Sequence, residues 1–298
     1  FKIITFPNKF PKNVLKFQKK IFLGFDPRLH TERQLNFFFK IKNINLKPIN
    51  NNLVDIIWKK KPNKLIKPFF ALHKKNVGTH SSKKILQIKK ILLKNSYEYL
   101  LVTAPENVAW ILNIRGYDSF HSPIPNARLL VNSRGNLDLF VNLKKISKIK
   151  KIIKKNINIH KEERINDILN GITKKRVLLD SLSCPLYYKN LLRKKNIIDE
   201  KIDPIHFFKS IKNNIEIRNM QKCHVIDGIA LTKFLFWLKE NFKKKKITEI
   251  SAQNKLESFR KMNPLYKFPS FNTISGTGPN SAIIHYKASP KTNRVLKK

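Results

Sequence analysis

The sequence predicts an α/β layered domain over residues 68–205, followed by a stretch of different texture that opens on long amphipathic helices. Three observations carry this reading. Between residues 81 and 193, apolar residues at helical spacing alternate with short strand-like apolar runs, the order that builds a layered sheet. After Asp203-Pro204 the alternation stops and one amphipathic pattern runs from residue 215 to 241. Upstream, the Lys- and Pro-rich residues 59–68 read as a linker. With 298 residues, 41% of them hydrophobic and 10% aromatic, the chain can form more than one compact unit and bury enough apolar surface to offset the entropy of ordering.

The elements follow in order. Residues 21–25 read as a strand, residues 30–42 after the Asp26-Pro27 turn as a helix with Leu35, Phe38 and Phe39 on one face, and residues 44–49 as a second strand. Asn51 or Asn52 is placed to cap a short helix at 53–58. A helix capped at Ser81 or Ser82 extends to residue 94 with Ile85, Ile88, Ile91 and Leu92 on one stripe, and a strand at 97–103 follows. Pro105 suits a helix start leading into Trp110, whose expected place is the core. Residues 129–132 and 137–142, joined by Ser133-Arg134-Gly135-Asn136, have the form of a β-hairpin. Helix, strand, helix, strand and helix are then expected at 146–153, 157–159, 165–169, 177–179 and 186–193. In the last part, a helix over 215–241 is followed by one from Thr248 to Lys261, and residues 268–286 read as strand-like, broken by the Gly276-Thr277-Gly278-Pro279-Asn280 turn.

Sixty-two Lys and Arg against 19 Asp and Glu give a formal charge of +43. The excess is spread along the whole chain and accompanies heavy use of Ile, Asn and Phe, so it reads as a solvated basic surface with weak, salt-sensitive attraction for phosphate and no specific nucleic-acid partner. Cys184 and Cys223 lie far apart, imply neither a disulfide framework nor a zinc site, and fit a reducing, cytoplasmic compartment. The most apolar run, residues 229–238, is short and carries Lys233, so no membrane association is expected. The chain begins at Phe1 rather than Met and stops at Lys298, and both ends read as cuts.

Residue motifs alone say little about chemistry. There is no H-E-x-x-H helix, no G-x-S-x-G elbow and no close carboxylate pair in an apolar setting. Gly276-Thr277-Gly278 lacks the Gly-Lys-Ser/Thr ending of a phosphate loop and reads as a structural turn. Among the eight histidines, His285 stands apart: it ends the run Ala282-Ile283-Ile284-His285-Tyr286, where strand alternation points it away from the face of Ile284. Its spacing leaves both a hydrogen-bonded strand-end role and a catalytic one open.

Several segments resemble one family in chain order. Leu23-Gly24-Phe25-Asp26-Pro27-Arg28-Leu29-His30-Thr31 is similar to the end of the first domain of the aminopeptidase P family. Thr103-Ala104-Pro105-Glu106-Asn107-Val108-Ala109-Trp110 with Leu112-Asn113-Ile114-Arg115-Gly116 resembles its creatinase-like middle domain. His224, Asp227-Gly228, Phe234, Trp237 and Thr248-Glu249-Ile250-Ser251-Ala252 resemble the opening helices of its pita-bread catalytic domain. The run from Phe268 through Gly276-Thr277-Gly278-Pro279-Asn280 to Ile283-Ile284-His285-Tyr286 is similar to the strand region entering its active site.

The resemblance implies residues 1–67 as the end of a first creatinase-like N-terminal domain plus linker, 68–205 as a second, and 206–298 as the N-terminal part of an α+β pita-bread domain. It also implies a metal-dependent aminopeptidase acting on peptides with an Xaa-Pro N-terminus. A two-ion centre, usually Mn²⁺, supplies a hydroxide nucleophile at neutral pH and stabilises charge on the attacked carbonyl. His285 is implied as catalytic and substrate-binding, donating to the tetrahedral intermediate. Arg115 and His121 are expected to bind substrate or line a subunit contact, with surface ion pairing open for Arg115. The family's aspartate, histidine and glutamate ligands fall beyond residue 298, so no metal ligand is expected in this chain, which by itself should not catalyse. The resemblance further implies a homo-oligomer. The rival reading is a non-catalytic pita-bread scaffold with a basic, nucleic-acid-binding surface, since fold alone does not fix function.

Overall fold

A computed structural model describes residues 3–5, 9–16, 19–62, 66–153 and 157–297, so part of the expected linker at 59–68, and Lys298, lie outside the described residues. The elements are α1 (Pro11–Leu15), β1 (Ile21–Phe25), α2 (Glu32–Phe39), β2 (Ile44–Pro48), α3 (Leu53–Ile57), β3 (Phe70–Ala71), α4 (Lys74–Val77) and α5 (Ser81–Lys94). They continue with β4 (Tyr99–Val102), α6 (Pro105–Leu112), β5 (Ile114–Arg115), β6 (Arg128–Asn132), β7 (Leu137–Phe140), β8 (Ile157–His160), α7 (Ile165–Gly171), β9 (Arg176–Asp180) and α8 (Leu186–Arg193). β10 (Ile197–Lys201), α9 (Pro204–Ser210), α10 (Asn214–Asn241) and α11 (Glu249–Lys261) complete the chain. They divide into two units: the first takes in Phe1–Leu72, Thr79–Asp118 and Ile124–Ile211, the second His73–Gly78, Ser119–Pro123 and Lys212–Lys298.

The first unit is built on a six-stranded mixed sheet in the order β10-β9-β4-β6-β7-β8. β4 pairs in parallel with β9 and antiparallel with β6, and β6–β7 is the hairpin its turn predicts. Alternation along the strands sends Leu100, Val102, Leu129, Val131 and Leu139 to one face, where Ile88 and Leu92 of α5 and Val108 and Ile111 of α6 cover them. Leu101, Leu130, Phe140, Val177 and Leu179 go to the other, under Ile165 and Leu169 of α7 and Leu192 of α8. Both faces are covered, which explains why these strands read as near-continuous apolar runs. β1 and β2 form a separate parallel pair. Their connection docks on the start of α8, where Leu186 N donates to His30 O and the Arg28 guanidinium lies 4.3 Å over the Tyr187 ring.

Local chemistry sets the helix ends. Thr31 and Gln34 form a capping box on α2, Asn52 caps α3, Asn213 with Glu216 caps α10, and Thr248 with Ser251 caps α11. Three expectations change. α5 takes His80, not a serine, as its N-cap, and its buried stripe is Lys84, Ile88 and Leu92. The Lys84 ammonium is tolerated there because it donates to Trp110 O at 2.9 Å and Asn113 Oδ1 at 2.7 Å and lies 4.1 Å over the Trp110 ring. The helix expected at 146–153 is instead a short 3-10 turn (Leu143–Ile146) followed by turns, in which Ile149 N bonds Ile146 O and Ile152 N bonds Ile149 O. Residues 268–286 hold no strand: they are loop with a 3-10 turn at Gly278–Ala282, because among the described residues no strand lies alongside to pair with them.

Candidate functional site

In the second unit, α10 and α11 are fastened by a two-pronged ion pair, Arg260 Nε donating to Asp227 Oδ1 at 2.6 Å and Nη2 to Oδ2 at 3.0 Å. The first turn of α11 then carries the feature that organises the rest of the unit. Glu249 is fully buried, and its carboxylate accepts from Thr277 N at 2.8 Å, Tyr286 Oη at 2.8 Å, Arg294 N at 3.1 Å and Asn280 Nδ2 at 3.1 Å. Asn280 Nδ2 also lies 2.9 Å from Thr292 O. Burial pushes the Glu249 carboxyl up, but the hydrogen bonds from Tyr286, Thr277, Asn280 and Arg294 outweigh it and hold the group below the usual carboxylate range. Burial next to this anion pushes the Tyr286 phenol up.

The network explains the Gly-rich turn. A Cβ on Gly276 would meet Asn280 O at 3.0 Å and Gly278 has φ +54, so both positions need glycine to bring Thr277 N and Asn280 onto one carboxylate. Glu249 escaped the sequence reading, since a glutamate in a helix's first turn looks like a solvated cap; the polar residues Asn280, Tyr286 and Thr292 gathered behind one motif were the available signal.

His285 sits one residue before the anchored Tyr286, not at a strand end but in a turn closed by Tyr286 N donating to Ile283 O at 3.2 Å. Its φ is +58, a conformation uncommon outside glycine, and its ring is exposed with no hydrogen-bond partner among the described residues. His121 also has positive φ, at +61. Its Nδ1 donates to Pro269 O at 2.9 Å, and its Nε2 lies 3.0 Å from the Asn272 side chain, so both ring nitrogens face residues of the stretch leading to the turn. Arg115 belongs to the first unit, where Nη1 donates to Ala109 O at 2.9 Å and Ile114 O at 2.8 Å. The second unit thus holds both histidines; the arginine lies in the first.

The donors present do not fit a metal centre: among the described residues no three His, Cys, Asp or Glu side chains converge, and both oxygens of Glu249 are filled by protein donors. No helix among them is long and apolar enough to cross a membrane.

Residues 60–216 match the Creatinase/Prolidase N-terminal domain family, and residues 218–298 match Metallopeptidase family M24. The chain is 32% identical over 257 residues to a probable Xaa-Pro aminopeptidase P of Sordaria macrospora, covering 81% of this chain and 42% of that protein. It is 34% identical over 236 residues to Xaa-Pro aminopeptidase 1 of Dictyostelium discoideum, covering 77% and 37%. In fold it resembles the crystal structure of an X-prolyl aminopeptidase from Caenorhabditis elegans, a cytosolic enzyme with a di-nuclear active site, with TM-score 0.84, 24% identity, and 95% of this chain against 48% of that one. The chain spans less than half the length of these relatives. On the match of more than half its residues, the chain belongs to the creatinase/prolidase family, and its C-terminal part matches the model of metallopeptidase family M24.

Proposed function

We propose that this chain forms the creatinase-like region and the early part of the pita-bread catalytic domain of a metal-dependent aminopeptidase that releases the N-terminal residue from peptides with proline in second position. The observation that carries the reading is His285: its exposed ring has no hydrogen-bond partner among the described residues, and its backbone is held in a left-handed turn by a neighbour anchored on a buried carboxylate. With its backbone already placed by that anchor, the His285 ring can donate a hydrogen bond to the oxygen of the attacked carbonyl as charge builds there. His121 positions the 268–272 stretch through Pro269 O and Asn272, and we assign it and Arg115 to substrate binding on the resemblance. The resemblance implies divalent ions, Mn²⁺ among them, for which the described residues offer no converging set of ligands. Domain limits near residues 67 and 205, a homo-oligomer and a cytoplasmic location belong to the same reading.

The test is steady-state hydrolysis of an Xaa-Pro peptide, by this chain alone and by this chain joined to the remaining C-terminal length of the Dictyostelium relative. The expected outcome is no turnover alone and chelator-sensitive turnover when joined. His285→Ala in the joined protein then lowers kcat and kcat/KM alike by about 10² to 10³, the effect of losing one such donor, with KM and metal content unchanged. Metal loss in the variant would make His285 a ligand. A joined protein that folds, binds metal and leaves Xaa-Pro peptides intact would favour the non-catalytic scaffold.

A further inference from the structure

The first unit holds a cleft of about 560 Å³ that the proposed activity does not use, between α5 and the turns that follow the 3-10 segment Leu143–Ile146. One wall is the flank of α5 beside its buried stripe: Ile85, Leu86 and the stem of Lys89. Ile149, Ile152 and Ile153 of those turns also line it, together with the buried Ile114 and Leu137. Leu86 is 49% exposed and Ile152 62% exposed, so apolar surface on both walls stays wet. A flexible apolar chain laid between them would remove that surface from water.

The cleft is also polarised. Lys89 and Arg134 both line it, and the Lys89 stem passes 3.7 Å from where a Cβ on Gly135, the chain neighbour of Arg134, would lie. Neither side chain has a carboxylate partner among the described residues. In the first turn of α5, Ser81 and Ser82 line the cleft and no side chain caps the helix. From Ser82 to Lys89 the helix rises about 10 Å, close to the length of an extended chain of roughly eight to ten carbons.

We propose that this cleft binds a medium-chain alkyl carboxylate, its tail along the isoleucine wall and its headgroup between Lys89 and Arg134. A planar carboxylate suits the guanidinium fork of Arg134 and the point charge of Lys89, while an alkylammonium of equal length meets the same two charges as repulsion. The proposal is independent of the peptidase reading.

Calorimetric titration of the whole chain with sodium decanoate, below the concentration at which it forms micelles, tests it. Decanoate should bind saturably, one per chain, and octanoate about tenfold more weakly, because two methylenes leave the apolar walls. Decyltrimethylammonium should bind at least about tenfold more weakly than decanoate. Lys89→Glu with Arg134→Glu should abolish decanoate binding, and Ile152→Asp, at a position already exposed in the folded chain, should weaken it at least about tenfold. Lys90→Glu with Lys94→Glu makes the same charge change on exposed α5 residues outside the cleft and should leave the affinity within about twofold. Circular dichroism confirms that each variant is folded. An unsaturable isotherm, equal binding of octanoate and decanoate, or equal loss in the Lys90/Lys94 variant would assign the binding to the basic surface at large and overturn the cleft.

Discussion

In the first unit Leu100, Leu129, Leu137 and Leu179 have no exposure, on strands covered from both faces; in the second, the buried apolar side chains among the described residues are Val77, Ala230, Ile247, Ala252 and Tyr286. Along the 28 residues of α10, Ile217, Met220, Val225, Ile229, Leu235 and Phe236 are exposed. What holds the loop after α11 is therefore the Glu249 carboxylate and its donors. Apolar burial is strong and indifferent to direction, whereas a net hydrogen bond is weaker but fixes orientation. The turn that carries His285 is therefore held by hydrogen-bond geometry and the sheet by packing, so the two regions should answer differently to the same perturbation.

The largest expected difference lies in the two thiols, one in each region. Cys184 is buried, and burial, followed by the Glu200 and Asp180 charges, pushes its thiol up to about 12; Cys223 on α10 is exposed. An aromatic disulfide reagent at pH 8 should label Cys223 at least about a thousandfold faster than Cys184, since the thiolate is the reacting form. Comparable rates would mean that the first unit opens as readily as the second. Next, Phe140→Ala, at a position with no exposure, should cost about 3–5 kcal/mol in urea unfolding.

A pH series probes a carboxylate in the packed region. Asp203 is 1% exposed, and burial pushes its carboxyl up to about 6 against hydrogen bonds from Ile205 N and Asn107 Nδ2. Because the folded value lies above the unfolded one, the native state binds the proton more tightly, and stability from this group falls as pH rises from about 4 to above 6. The loss is at most about 3 kcal/mol, and Asp203→Asn, which keeps an N-cap acceptor, should flatten the slope. The most local effect is expected of Glu249→Gln, which should weaken the hydrogen bonds the carboxylate accepts and raise amide exchange across residues 277–294 while the sheet stays protected. Equal loss of protection in the sheet would erase the distinction between the regions.

Five of the six sheet strands were legible because their signals are local or periodic, whereas the edge strand β10, whose run ends in Asp199-Glu200-Lys201, went unread. The hairpin shows in Ser133-Arg134-Gly135-Asn136 and its flanking runs, and the cap of α11 shows in Thr248 and Ser251. The strand expected at 268–286 failed because β-branched runs such as Ile283-Ile284 state a preference that only a neighbouring strand can satisfy. Lys84 defied its stripe through partners 26 and 29 residues away. Glu249 was hidden for the same reason, its donors Thr277, Asn280, Tyr286 and Arg294 being gathered by the fold alone.

The sheet order also sets a schedule for synthesis. β4 lies inside the sheet between β6 and β9, yet Tyr99 meets its β9 partner Val177 only about eighty residues later in the chain. On a ribosome β4, β6 and β7 can assemble as soon as they emerge, because their pairings are sequence-near. One side of β4, with its main-chain N–H and C=O groups, then stays open until β9 arrives, and a long-range parallel pairing is slow to close. The nascent chain thus presents a bare, apolar strand edge during that interval, the state most exposed to capture by another strand, and chaperone demand should peak between the emergence of β7 and that of β9.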